Sequence, residues 1–392
     1  MELKIGNRTT SIFYLLVVYV TYIFYYISDM KTSANIIVKQ TESRGSVHIF
    51  MFLLICVLAI YFIMNLSAVP NIGINMPILL LAGWMIVVDV MNESSIWNIA
   101  VRVGLFVLWF LVATFSASYI KSEVRYRWVL RFEFIIWCIT VYYSFQSIKN
   151  YASYSGTNQT NVLNISYNIL VLIPFLMQIR NRLIRNLSCG LSIILIIVSM
   201  KRGAIITMVA MFLVYFFIVK RVSGKSLEKR TLGKILLITI LVCICIFAVD
   251  TYTNGYFSSR FTKDSLISGS NRSELYSLAW QDISGRSIVD FVIGKGSSSV
   301  LEIIGSGVHN EVLEFLFSYG LIGLLIYFSL VVNGIKKTVY LLREKTEGAA
   351  YYGVSMTFII LVGMVGSALF SHYTFHIMLL AGISNSYLKE KD

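Results

Sequence analysis

Charge is scarce in this sequence. Only 14% of its 392 residues are charged while 57% are hydrophobic, and that balance excludes a soluble globular domain of this length. Cysteine is scarce as well. The five cysteines (Cys56, Cys138, Cys189, Cys243 and Cys245) all fall inside apolar runs. Cys243 and Cys245 are two apart and face different sides of a helix, so neither a disulfide framework nor a thiolate metal site is indicated. No Asp-x-Asp pair and no His/Cys/Asp cluster at ligand spacing occurs, so no metal or other cofactor is expected. Ile293-Gly294-Lys295-Gly296-Ser297 contains a Gly-Lys pair, but its spacing and following residue do not make a Walker loop, and no nucleotide site is expected. No small-residue cleavage site follows the first apolar run, which therefore reads as a retained helix. No internal repeat of transporter type is visible.

What the chain has instead is apolar runs of membrane-crossing length separated by short charged clusters, the pattern of helices that satisfy their own backbone in lipid. The expected fold is all-α, a polytopic integral membrane protein of about twelve transmembrane helices. The spans fall at 11–28, 47–66, 71–91, 96–118, 128–148, 162–180, 187–200, 203–219, 235–251, 311–333, 350–371 and 374–388. Residues 1–250 thus carry helices 1–9, residues 251–310 form one long extracytoplasmic loop containing short helices, and residues 311–392 carry helices 10–12. Lys and Arg are retained on the cytoplasmic side. The clusters at Lys4/Arg8, Lys121–Arg131, Arg180–Arg185, Lys220–Lys234, Lys336–Lys345 and Lys389/Lys391 accordingly place both termini in the cytoplasm. The net charge of +13 is then mostly a topology signal, and a nucleic-acid partner is not indicated.

Two places resist this simple reading, and both lie on the expected outer side. Lys201-Arg202-Gly203 sits between the runs 187–200 and 203–219, where two adjacent cations are disfavoured. The first of those runs spans only about 21 Å of a core about 30 Å thick, so Arg202 is expected below the outer interface, facing a protein-lined cavity. A local hairpin or a snorkelling pair is the alternative. The second place is the loop. Asn271-Arg272-Ser273-Glu274 resembles a capping box, followed by Leu275, Leu278, Ala279 and Ile283 at helical spacing. Arg272 in a first helical turn is favourable when an anion is also present, because exposed backbone N–H groups and a guanidinium cradle phosphate oxygens. The alternative is a local pair with Glu274 or Asp264.

His309 follows, just before the start of the next membrane helix. Its ordinary pKa suits it to accept a proton at neutral pH, against the alternative of a structural interfacial histidine. Asn310 is placed to cap that helix, while Glu311 and Glu314 suit its positive end or would orient the imidazole. Gly320 and Gly323 read as helix-packing positions.

At these residues the chain resembles the bacterial O-antigen ligase and Wzy polysaccharide polymerase superfamily. Ser199-Met200-Lys201-Arg202-Gly203-Ala204 looks like that family's Ser-x-x-Arg-Gly turn. Ser270-Asn271-Arg272-Ser273-Glu274-Leu275, with Trp280 and Ile293-Gly294-Lys295-Gly296, looks like its Ser-Gly-Arg segment leading to a Gly-x-Gly turn, with Asn271 in place of the glycine. Val308-His309-Asn310-Glu311 through Gly320-Leu321-Ile322-Gly323 looks like its His-Asn helix ending in Gly-Leu-x-Gly. The first 180 residues carry no matching motif.

The resemblance implies a metal-independent glycosyltransferase of the bacterial plasma membrane, with its active site facing outward. Its donor would be an undecaprenyl-pyrophosphate-linked oligosaccharide and its acceptor a sugar hydroxyl. Arg202 and Arg272, with Lys201 and Arg260, would hold the pyrophosphate, and His309 would be the general base. Asn310, Glu311, Arg102, His372 and Trp280 are supporting candidates. For Arg102 the expected partners are the cavity, Asp89 or Glu93. For His372 and His376 an interfacial location is expected. Membrane lipids, a flippase and a chain-length regulator are the implied partners.

Three functions remain open at this point. A polymerase would join lipid-linked repeat units. A ligase of the same superfamily would move the finished glycan to a different acceptor. A non-enzymatic flippase or exporter would show polar residues through the full depth of the bilayer, whereas most ionisable residues here sit near helix ends, which favours an enzyme.

Overall fold

The computed structural model describes residues 8–34, 44–65, 70–154, 165–223, 244, 246–251, 255–259, 261–262, 272–305, 307–386 and 388. Among the described residues there is helix and no strand. The first half contains α1 (Arg8–Ala34), α2 (Arg44–Met64), α3 (Asn75–Met91), α4 (Ile96–Tyr119), α5 (Glu123–Tyr154), α6 (Ser166–Leu176), α7 (Arg182–Val198) and α8 (Arg202–Ser223). Four short helices follow: α9 (Tyr256–Ser259), α10 (Arg272–Ser284), α11 (Ile288–Ile293) and α12 (Ser299–Ile304). The chain then returns through α13 (Glu311–Arg343), α14 (Gly348–Val365) and α15 (Thr374–Asn385).

Seven helices are long and apolar enough to cross a membrane: α1, α2, α4, α5, α8, α13 and α14. Three of the other expected spans correspond to shorter apolar helices, α3, α6 and α15. The span expected at 187–200 coincides with α7, which begins earlier because the Asn181 side chain caps it, accepting from the Leu183 and Ile184 amides. The span expected at 235–251 lies mostly outside the described residues, as does Arg260.

Length explains where the short helices sit. At 1.5 Å per residue α6 is about 17 Å long, too short for a hydrocarbon core about 30 Å thick. Every residue of α6 is buried by its neighbours, as are nearly all residues of α15. α15 packs against α4 and α14, and its Gly382 lies against the Ala113–Ala117 stretch of α4, where an added Cβ would fall 2.5 Å from the Ala113 carbonyl oxygen. Small residues are what permit such close approach between apolar helices, since packing and not hydrophobicity selects contacts there.

α13 is broken in its first third. Gly320 has φ 65° and ψ −168°, which interrupts the helix. A break frees carbonyl groups that lipid cannot solvate. Three consecutive ones find donors outside the helix. Phe317 O accepts from Arg286 Nη1 at 2.6 Å, Ser318 O from the Gly296 amide at 2.8 Å, and Tyr319 O from the Trp84 indole at 2.9 Å. Gly294, itself at φ +97°, crosses Gly320 backbone to backbone. The two glycine motifs of the sequence therefore form one junction. The packing role expected of Gly320 is met by a loop and not by another membrane helix, because the positive φ turns the backbone outward to that loop.

The same loop is tied to α3. Ser297 N donates to Asp89 Oδ1 at 2.6 Å, and Asn92 Nδ2 approaches Gly294 O at 3.5 Å. A small apolar core of Ala279, Ile283, Val300, Val308, Leu316 and Phe317 joins α10 and α12 to the first turns of α13. These contacts fix the segment 272–310 over one end of the bundle.

Candidate functional site

Two chain turns and one helix start meet beside this segment. The turn between α7 and α8 carries Lys201, with Met200 in the left-handed region at φ 54°. Met200 is buried with Ile197 and Phe257, which anchors the turn against α9. The turn before α13 carries His309, also left-handed at φ 57°. Such conformations are uncommon outside glycine and concentrate at functional sites when the surroundings enforce them. Here the anchors are Val308, buried and donating its amide to Glu314 Oε2 at 3.3 Å, and Asn310, whose side chain accepts from Leu313 N at 3.2 Å as expected of a cap. Arg272 opens α10, as the capping pattern indicated.

The three charged groups share one field. The His309 ring lies at the surface, but the protein crowds it enough that partial desolvation, and then the positive charges of Arg272 and Lys201, hold its pKa below the ordinary 6.5. His309 is therefore neutral at physiological pH, with an imidazole nitrogen available to accept a proton. The arrangement suits an anion between the cations and a proton transfer at its edge.

Tyr167, at the start of α6, was not singled out by any motif. Lys201 Nζ lies 5.7 Å from its ring centre, and Arg272 acts on it electrostatically. Its hydroxyl fills the space above Gly203, where a Cβ would collide with it. The hydroxyl is buried and makes no hydrogen bond among the described residues. Nothing in the local sequence distinguishes this tyrosine from the other 23. A small apolar recess lined by Leu170, Ile173, Met177, Met208 and Met211 lies between α6 and α8.

Other candidates fall elsewhere. Arg202 begins α8, next to Lys201, and is partly buried. Trp280 is 59% exposed, on the flank of α10 beside the buried Ala279 and Ile283. Neither glutamate orients His309, because both point into the bundle. The Glu311 carboxylate accepts from the Leu369 amide. Glu314 holds Val308 N and faces Arg102 Nη1 at 3.6 Å. Arg102 thus pairs with Glu314, where Asp89 or Glu93 was expected, since Asp89 is engaged by Ser297 and Glu93 is exposed at the end of α3.

His372 and His376 each face a carboxylate of another helix. His372 Nδ1 lies 2.8 Å from Asp29 Oδ2, and its Nε2 lies 2.7 Å from Asn168 Oδ1. His376 is fully buried, with Nδ1 2.7 Å from Glu133 Oε2 and Nε2 2.9 Å from the Tyr22 hydroxyl. These partners come from α1, α5 and α6, far away in sequence. No group of three or more His, Cys, Asp or Glu side chains suited to a metal occurs among the described residues.

No protein-family model matches this sequence, and no curated protein matches it.

Proposed function

We propose that this chain is a membrane glycosyltransferase of the polysaccharide-polymerase type. It takes a glycan from a polyprenyl-pyrophosphate carrier and joins it to a sugar hydroxyl of another lipid-linked repeat unit, at the outer face of a bacterial plasma membrane. The observation that carries the reading is the placing of a neutral, surface-accessible His309 within the field of Arg272 and Lys201. Two cations and the first-turn amides of α10 suit a pyrophosphate.

In this mechanism the acceptor oxygen attacks the anomeric carbon while the bond from that carbon to the pyrophosphate oxygen breaks. His309 takes the hydroxyl proton, and the electron pair leaves with the lipid pyrophosphate, whose charge Lys201, Arg202 and Arg272 offset. The two cations lower the basicity of His309 in the free protein. A bound pyrophosphate cancels part of their field and restores that basicity, so the base strengthens when the donor is in place.

A second reading, a lipid-linked glycan exporter, draws on the carboxylate–histidine pairs buried inside the bundle. The deciding experiment supplies the purified full chain, in proteoliposomes, with one defined polyprenyl-pyrophosphate repeat unit. Polymer formed from that unit alone supports the polymerase. Product formed only with a different acceptor identifies a ligase, and movement of a labelled unit across the bilayer without a new glycosidic bond identifies an exporter.

A further inference from the structure

Four elements bring titratable groups together in the interior of the bundle, next to the site above, since the Tyr373 and Tyr167 ring centres are 5.9 Å apart. α1 contributes Tyr19, Tyr22, Tyr25, Tyr26 and Asp29, α5 contributes Glu133, α6 contributes Asn168, and α15 with the turn before it contributes His376, His372 and Tyr373. Tyr19 donates to Glu133 Oε1 at 2.8 Å. Tyr26 bonds to Thr140 at 2.6 Å, and its ring meets both imidazoles edge-on, at 5.5 Å from His372 and 6.1 Å from His376. α4 and α14 also pack on α15, but α14 has no charged residue and the single charge on α4, Arg102, is engaged with Glu314.

Burial decides the charge of the inner pair. Glu133 is 1% exposed and His376 0%. Among the described residues neither Glu133 Oε2 nor His376 Nδ1 has a hydrogen-bond partner elsewhere, and the two atoms face each other at 2.7 Å. No lysine or arginine contact to Glu133 occurs among the described residues. A carboxylate in such surroundings with no positive partner costs several kcal/mol, which a single proton shared by the pair removes. The outer pair is more open. The Asp29 side chain is 26% exposed and that of His372 11%.

Asn168 is an indicator of charge at His372. With its carbonyl oxygen turned to Nε2, both ring nitrogens face acceptors, as an imidazolium requires. With the amide rotated, its NH₂ donates instead and the ring is neutral. His372 lies in the turn just before α15 and His376 in its first turn, so the two pairs are neighbours at that end of the helix. Asp29 lies about 15 Å along α1 from Tyr19.

We propose that this column is a proton-binding site: the Glu133–His376 pair stores one proton inside the bundle and exchanges it with water through Asp29 and His372. A proton delivered by hydronium leaves a water molecule behind and adds one positive charge to the column. No other co-reactant is required. The inference does not depend on the transferase reading, and intramembrane ionisable groups with named partners are uncommon unless they do work of this kind.

Four histidines make the test tractable. The full chain in lipid nanodiscs, with ¹⁵N-labelled histidine, is titrated by NMR from about pH 6 to pH 8, with His376→Gln used only to assign its signal. The infrared carboxyl band is followed in parallel. The expected result is one proton held by the pair throughout, seen either as a doubly protonated His376 ring or as a protonated-carboxyl band that Glu133→Gln removes. Hydrogen–deuterium exchange at His376 is expected to slow several-fold in Asp29→Asn, which leaves the inner pair intact. A neutral His376 beside an ionised Glu133 in the native chain overturns the storage claim. Unchanged exchange in Asp29→Asn overturns the entry route. Should Glu133→Gln fail to fold, the native titration alone decides the first point.

Discussion

Gly294 and Gly320 cross so closely that a Cβ built on Gly294 would lie 2.6 Å from the Gly320 amide nitrogen. The loop and the membrane helix therefore meet backbone to backbone; of the carbonyls released by the break in α13, Phe317 O and Ser318 O bind that loop segment and Tyr319 O binds Trp84 of α3. Everything on the far side of that junction, including His309 and Arg272, is positioned by it.

Gly294→Ala should destabilise the chain on two counts. The left-handed φ costs about 1–3 kcal/mol for a residue with a Cβ, and the added carbon has backbone atoms and no yielding side chain in its way. Thermal unfolding in detergent checks this, with Gly307→Ala as control, since a Cβ there meets nothing within 4 Å. The control is expected to unfold within about 0.5 kcal/mol of the native chain.

Arg102→Met should cost about 3 kcal/mol, because it leaves Glu314 with a charge and no counter-ion in a mostly buried place. Replacing both partners, as Arg102→Met with Glu314→Leu, should recover part of that loss, apart from the amide bond that Glu314 accepts from Val308. A double-mutant cycle by chemical denaturation measures the difference.

His309 should titrate below the ordinary 6.5, and Lys201→Gln should move its midpoint upward by removing one of the cations that disfavour the imidazolium. The stability consequence has a definite sign. The unfolded chain takes up a proton at this histidine as pH falls through about 6.5, while the folded chain resists it. This group's contribution is thus neutral at higher pH and becomes destabilising below that point, and Lys201→Gln weakens the effect. Histidine NMR across the range gives both midpoints.

Much of this was legible in the sequence, for physical reasons. Apolar runs of sufficient length must be helices in lipid, so α1, α2, α4, α5, α8, α13 and α14 follow from composition and periodicity. The helix start at Glu311 follows from the capping chemistry of Asn310, which is local. Relationships between distant segments were not legible. Gly294 and Gly320 each stand in a recognisable motif, yet only folding shows that they touch. His372 and His376 are only four apart, but Asp29 and Glu133 lie in helices whose sequence gives no sign of facing them. Tyr167 reaches Lys201 and Gly203 through tertiary packing alone. Arg102 was read with its neighbours at 89 and 93, and its carboxylate partner proved to be 212 positions away, on α13.

The most direct test of the account is the His309→Gln chain in proteoliposomes, with turnover of a defined polyprenyl-pyrophosphate repeat unit and its binding measured on the same preparation. The account predicts that product formation falls by about 10²–10⁴-fold, the range for loss of a general base, while affinity for the donor stays within a few-fold of native. Undiminished product from His309→Gln would contradict it, and would return His309 to the role of a structural turn residue.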